Sequence, residues 1–174
     1  LAAVLADADP YDECWSWDEV TGGSVAWVRR RQAHEALVHR VDAEQAAGWE
    51  MDPITPAVAA DGVDEMLMVY LSGIPAWADF VPGGGTVELY ATDVDRAFAF
   101  EIGRMVGTSL ASGRSYDLPA IEFRDAIADP SVIVAAPAAD LYLWLWGRRG
   151  SEGFIIDGDA TLVATLRAMA AEAG

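Results

Sequence analysis

The period of the apolar residues changes once along this chain. Over the first 80 residues they recur every three to four positions, as on a helix, and from residue 85 onward stretches of alternation appear, as on a half-buried strand. The two patterns bury faces of different shape, so the chain cannot close into one uniform architecture. The change coincides with the turn-forming run Pro82, Gly83, Gly84 and Gly85, where the sequence sets a domain boundary. The expected fold is α+β, with part of a helical bundle over residues 1–81 and a small α+β domain, a sheet backed by helices, over residues 85–174.

The helical part begins with residues 1–8 and continues, after a Trp-rich loop, with a long helix over residues 24–47. Ser24 is placed to cap its start and Gly48 to stop it. Asp61 can cap a further helix whose Val63, Met66, Leu67, Tyr70 and Leu71 share one face, with Gly73 as its end. The chain opens at Leu1 inside an apolar helical pattern and without Met, so a further helical piece is expected upstream. In the second part, residues 86–92, 97–102 and 105–110 read as strands and 131–135 as a further short one. A compact helix follows over 137–146, with Pro137 near its first turn. Residues 154–156 form a last strand, and Asp159 caps a final helix carrying Leu162, Leu166 and Met169 on one side.

Composition narrows the function. Hydrophobic residues make up 53% of the 174 positions and seven are Trp, which a disordered acidic segment would not carry. Eleven basic residues, all Arg, stand against 28 acidic ones, for a formal charge of −17. Such a chain repels phosphate backbones and anionic head groups, and it offers no basic stripe, so nucleic acid and membrane surfaces are excluded as partners. Apolar runs such as residues 141–146 fall far short of the roughly 18 residues that cross a bilayer. A soluble, cytoplasmic protein with a small-molecule partner is expected. The single cysteine, Cys14, has no second cysteine to pair with, and without lysine there is no Schiff base and no P-loop cation.

The helix over 24–47 carries the chemistry. Glu35, His39 and Asp42, offset by four and three, fall in one line with Val25, Val28 and Gln32, a stripe that apolar residues would ordinarily fill. Trp27, Leu37, Val38 and Val41 make a second apolar strip on another side, so the helix is expected to be buried on two sides with the trio facing the bundle. Charges there must be paired or bound to metal. A carboxylate and an imidazole one turn apart can hold the same zinc ion, with Asp42 either orienting His39 or serving as a third ligand. His34 lies outside this set: His34 and His39 are one residue too far apart for H-E-x-x-H and sit roughly 140° apart around the helix. The alternative is an ordinary helix-surface ion pair, worth about 0.5 kcal/mol, and spacing alone does not separate the two.

The stretch over 29–44, Arg-Arg-Arg-Gln-Ala-His-Glu-Ala-Leu-Val-His-Arg-Val-Asp-Ala-Glu, resembles the signature helix of the mycothiol-dependent maleylpyruvate isomerase family. Two further motifs agree: Asp61, Gly62, Val63, Asp64 and Glu65, and the run Asp-Leu-Tyr-Leu-Trp-Leu-Trp-Gly-Arg over 140–148 followed by Asp157, Gly158 and Asp159. The resemblance implies a DinB-like bundle followed by a sterol-carrier-like α+β domain. It also implies a divalent metal, usually zinc, held by the Glu and His of an E-x-x-x-H pair, here Glu35 and His39, and by a further His from an early helix that would lie upstream of Leu1. The implied activity uses mycothiol: its thiolate adds to a cis double bond, the bond rotates, and expulsion of the thiol leaves the trans product. A dicarboxylate substrate would need a cationic clamp, for which Arg148 is the candidate. Arg148 reads equally well as a helix C-terminal Arg bound to the last carbonyls.

The remaining residues have plainer readings. Cys14 reads as a small core or loop residue, Trp15, Trp17, Trp144 and Trp146 as packing, Asp61, Asp64 and Glu65 as helix-start acids, and Arg29, Arg30 and Arg31 as a solvated flank or partners for carboxylates. The chain reads as a metal-dependent, mycothiol-using isomerase or transferase. The rival reading is a non-catalytic protein of the same fold that binds a metal or a small apolar ligand, the latter beside the helix over 141–146.

Overall fold

The computed structural model describes residues 1–18 and 20–173. It consists of two compact units, Leu1–Pro53 and Ile54–Gly174.

The first unit holds a short helix, α1 (Ala2–Asp7), and a long one, α2 (Val25–Ala47). Local chemistry fixes both ends of α2. The Ser24 hydroxyl accepts from the Trp27 amide at 3.2 Å, and Gly48 takes the left-handed φ of 68° that ends the helix while its amide bonds the Gln45 carbonyl. Arg29 reaches back to α1, donating through Nε to the Leu5 carbonyl at 2.8 Å and through Nη2 to that of Ala8 at 2.7 Å. It thereby satisfies carbonyls that a helix end leaves unpaired. In the intervening loop the Asp18 carboxylate accepts from the Val20 and Thr21 amides, and Trp17 meets Trp27 edge-on at 5.5 Å. Trp15 is exposed, so its expected packing role is corrected: the loop turns on Asp18 and leaves that indole in solvent.

The second unit starts with α3 (Pro56–Glu65), which runs into a π-helical turn at Met66–Leu71. Pro56, with its φ already helical, starts this helix, which puts Asp61 in its middle and not at its cap. The sheet strands are β1 (Ala78–Ala91), β2 (Arg96–Thr108), β3 (Ser115–Phe123), β4 (Val132–Ala136) and β5 (Ile155–Gly158), in the spatial order β3-β2-β1-β4-β5. Only β1 and β4 run parallel; the other neighbours are antiparallel. The fold is thus α+β, a helical part followed by a mixed five-stranded sheet with helices.

Two sequence features take different places from those expected. The run at 82–85 lies inside β1, where the register slips between Pro82 and Gly85 and leaves Gly83 and Gly84 as a bulge. Gly85 sits at φ 100°, a backbone conformation that side-chain-bearing residues rarely adopt, and a Cβ there would press on the end of the Leu162 side chain. Residues 105–108 continue β2 and are not a strand of their own, while the third strand, β3, lies further on.

Helix α4 (Ala138–Leu145) packs on α3, and α5 (Ala160–Ala173) contacts the π-helical turn, β1, β4 and α4. The core comprises Val87, Leu89, Phe100, Ile121, Leu141, Tyr142, Leu145 and Leu166, all fully buried. Burying a side chain of this kind stabilises the fold by about 1.5–3 kcal/mol relative to leaving it exposed. The N-terminus of α4 receives a carboxylate from the β1–β2 turn, where Asp93 Oδ1 accepts from the Ala138 amide at 2.8 Å. Asp159 caps α5 in the same way, accepting from the Thr161 hydroxyl at 2.7 Å and its amide at 2.8 Å, and these bonds, the hydroxyl's above all, hold its carboxyl below the usual range. No helix of the described residues is long and apolar enough to cross a membrane.

Candidate functional site

The i, i+4 geometry of α2 brings Glu35 and His39 together, with Glu35 Oε1 3.0 Å from His39 Nε2. One more turn brings Asp42, whose Oδ2 lies 3.3 Å from His39 Nδ1. Each ring nitrogen of His39 therefore faces a carboxylate oxygen. A neutral imidazole carries one proton and can satisfy only one of them. If Nδ1 donates to Asp42, the lone pair of Nε2 points at Glu35, and a second proton or a cation between the two is needed to relieve the repulsion.

The other oxygen of Glu35 is also engaged. Arg31, a further turn back, donates through Nη2 to Glu35 Oε2 at 2.6 Å. This bond is the foremost reason that the Glu35 carboxyl lies below its ordinary range; burial opposes it, and His39 adds to it. Glu35 is therefore an ionised carboxylate with one oxygen held by Arg31 and one turned to His39.

The exposure of these groups differs from expectation. His39 is 66% exposed, Glu35 45% and Asp42 37%, whereas His34 is 3% exposed. The expectation of a trio facing inward is thus corrected. The buried positions of α2 are Val25, Arg31, His34, Val38, Val41 and Glu44, a stripe offset from the trio. Arg31, read from the sequence as part of a solvated flank or as a partner for carboxylates, is 5% exposed and pairs with Glu35. The signal available in the sequence was the spacing of positions 31, 34, 38 and 41, which is itself a helical stripe.

A carboxylate and an imidazole are two of the group types that bind divalent ions. At zinc-ligand bond lengths two tetrahedral ligand atoms stand about 3.3 Å apart, close to the observed separation of Glu35 Oε1 and His39 Nε2. The carboxylate on the far nitrogen is what a metal-bound imidazole commonly has behind it. Asp42 does not fit as a third ligand to the same ion, because Nδ1 and Nε2 lie on opposite sides of the ring. Among the described residues no group of three or more His, Cys, Asp or Glu is arranged to hold a metal.

Arg148 belongs to the second unit and sits just beyond α4. Its amide bonds the Leu143 carbonyl at 2.8 Å across the left-handed Gly147, and its Nη1 donates to the Trp146 carbonyl at 2.5 Å. Its guanidinium lies over the Trp146 ring at 5.9 Å. Arg167 joins it, donating to the carbonyls of Trp144 and Leu145, so two cations meet the negative end of this helix. The run 141–146, expected to line a ligand pocket, is buried throughout and belongs to the core. The larger hollows lie elsewhere. One of about 390 Å³ is lined by Val81, Pro82, Gly83, Gly84, Ile102 and Arg104, among others. Another of about 250 Å³ includes Asp64, Glu88, Arg96 and Arg124. Neither was foreseen, since the first depends on the bulge and both on the pairing of strands.

Two family models match the chain. The Mycothiol maleylpyruvate isomerase N-terminal domain matches residues 1–44, and the MDMPI C-terminal domain matches residues 57–165. The chain belongs to the mycothiol maleylpyruvate isomerase family. Within that family assignment the first match ends inside α2, after Glu35, His39 and Asp42, and the second takes in α3, the whole sheet, α4 and Arg148. No curated protein was found to match.

Proposed function

We propose that this member of the mycothiol maleylpyruvate isomerase family is a metal-dependent, mycothiol-using isomerase or thiol transferase acting on a small dicarboxylate, with Glu35 and His39 as two of the metal ligands. The observation that carries this reading is the 3.0 Å approach of Glu35 Oε1 to His39 Nε2, with Asp42 behind the other ring nitrogen. A bound divalent ion, zinc on the family resemblance, would supply a Lewis acid able to bring a thiol's pKa toward neutrality. The chain's own contribution is charge and orientation. Asp42 accepts a hydrogen bond from Nδ1–H and so leaves the lone pair on Nε2, and Glu35 offers an ionised oxygen beside it. The third ligand is assigned, by the resemblance, to a His outside these residues.

Arg148 is the proposed clamp for a substrate carboxylate. Its guanidinium bonds the Trp146 carbonyl at 2.5 Å, and a carboxylate is a stronger acceptor for such a group. The formal charge of −17 favours a small molecule over nucleic acid or a membrane surface as partner, and the single cysteine suits the cytoplasm.

Elemental analysis of the purified full-length protein tests the site. About one zinc per chain is expected in the wild type, and none in Glu35→Ala or His39→Ala, with helix content by circular dichroism unchanged. If both variants keep their metal in full, the ligand assignment is wrong.

A second reading has its own observation. The hollow of about 390 Å³ at the β1 bulge falls within the roughly 300–1,000 Å³ of small-molecule pockets, which favours a non-catalytic protein that holds an apolar ligand. Native mass spectrometry after gentle purification would find a bound apolar compound in that case. Empty protein whose activity depends on added thiol would count against it.

A further inference from the structure

Arg31 stands out among the groups that the proposed function leaves unused. A guanidinium is seldom buried without a task, since removing it from water is costly unless it is paired and hydrogen-bonded. Here it is 5% exposed and meets a carboxylate that is 45% exposed, with Nη2 2.6 Å from Glu35 Oε2. The buried partner is the anchored one, so the more exposed carboxylate takes its orientation from it.

We propose that Arg31 is a positioning residue that holds one oxygen of Glu35 so that only the other is presented to His39 and to the metal. The proposal rests on the reading of Glu35 and His39 as metal ligands. A carboxylate free to rotate about its last bond can approach an ion with one oxygen or with both, and can swing away into solvent. With Oε2 fixed to Arg31, Oε1 is left 3.0 Å from Nε2, so the two donor atoms are set before an ion arrives. Preorganisation of this kind saves ordering entropy at the moment of binding.

The test is titration of the full-length, metal-stripped protein with Co²⁺, followed by its visible absorption, which reports both affinity and coordination geometry. Arg31→Gln is expected to bind about 10–100-fold more weakly, the range seen when an outer partner of a metal ligand is removed, and to show an altered spectrum with unchanged helix content. Arg31→Lys, which keeps a buried cation, should recover part of the affinity, and it carries the test if Arg31→Gln loses helix. Wild-type affinity and spectrum in both Arg31 variants, while Glu35→Ala fails to bind, would overturn the positioning role and leave the ligand assignment standing. Failure of the wild-type protein to bind Co²⁺ would overturn the ligand assignment itself, and the proposal with it.

Discussion

His39 lies between two carboxylates, and Glu35 lies between His39 and Arg31, so a single residue change propagates along this line. The metal-free protein should show it in acid. The folded-state pKa of Glu35 is depressed, above all by its bond to Arg31. Its stabilising contribution is therefore fully present above the usual carboxylate range and disappears as pH falls through the lowered value. Glu35 is nearly half exposed, so solvent screening limits the contribution to about 0.5 kcal/mol. Urea unfolding of wild type and Glu35→Gln, from neutral pH into the acid range, should show a difference at neutrality that closes at low pH. A difference that persists in acid would mean that packing and not charge sets it. At this scale the sequence is informative about proximity and silent about burial. The i, i+4 and i, i+3 offsets place Glu35, His39 and Asp42 in contact on any α-helix. Which face is covered depends on the surroundings, and apolar residues on several sides of α2, Trp27, Leu37, Val38 and Val41 among them, leave its period weakly marked.

The helices read most clearly where end signals are local. Ser24 and Gly48 bound α2 through bonds to backbone groups three residues away, and such chemistry needs nothing from the rest of the chain. Ser24→Ala should cost about 1 kcal/mol, measured as a lowered urea midpoint at unchanged m-value. No shift in the midpoint would mean that α1 and the loop hold the start of α2 by themselves. Strands read less well, because their partners are remote. β3 contains Asp117 and Pro119, which break any alternation, yet it pairs along β2 from Phe123 to Ser115. Its place at the edge of the sheet tolerates the missing amide of Pro119. Gly103 looks like a break before residues 105–110. In the sheet it lets β1 approach, since a Cβ there would lie 2.4 Å from the Val81 carbonyl.

At the scale of the molecule, the helical pattern over residues 1–81 and the compact units do not coincide, because α3 and the π-helical turn are helical in sequence but pack with α4 and α5 in the second unit. Periodicity shows what an element is; which elements it packs against is decided by contacts distant in sequence. Residues 48–53, at the end of the first unit, are exposed and carry Glu50 and Asp52. Brief digestion with a Glu-specific protease should cut there first and leave a fragment from residue 51 onward with its strand signal intact in circular dichroism. Early cleavage within β1 or β2 would contradict this division.

The parallel pairing of β1 with β4 bears on how the second unit is made. β1, β2 and β3 follow one another as hairpins and can pair as soon as they are synthesised. β4 must return across the intervening chain to lie beside β1, joined at its start by Ser131 and Thr86, which exchange hydrogen bonds through their hydroxyls. Closing so long a loop sacrifices chain entropy before any contact rewards it. On this ground the hairpins are expected to form first, with β4, and α4 directly behind it, joining them afterwards.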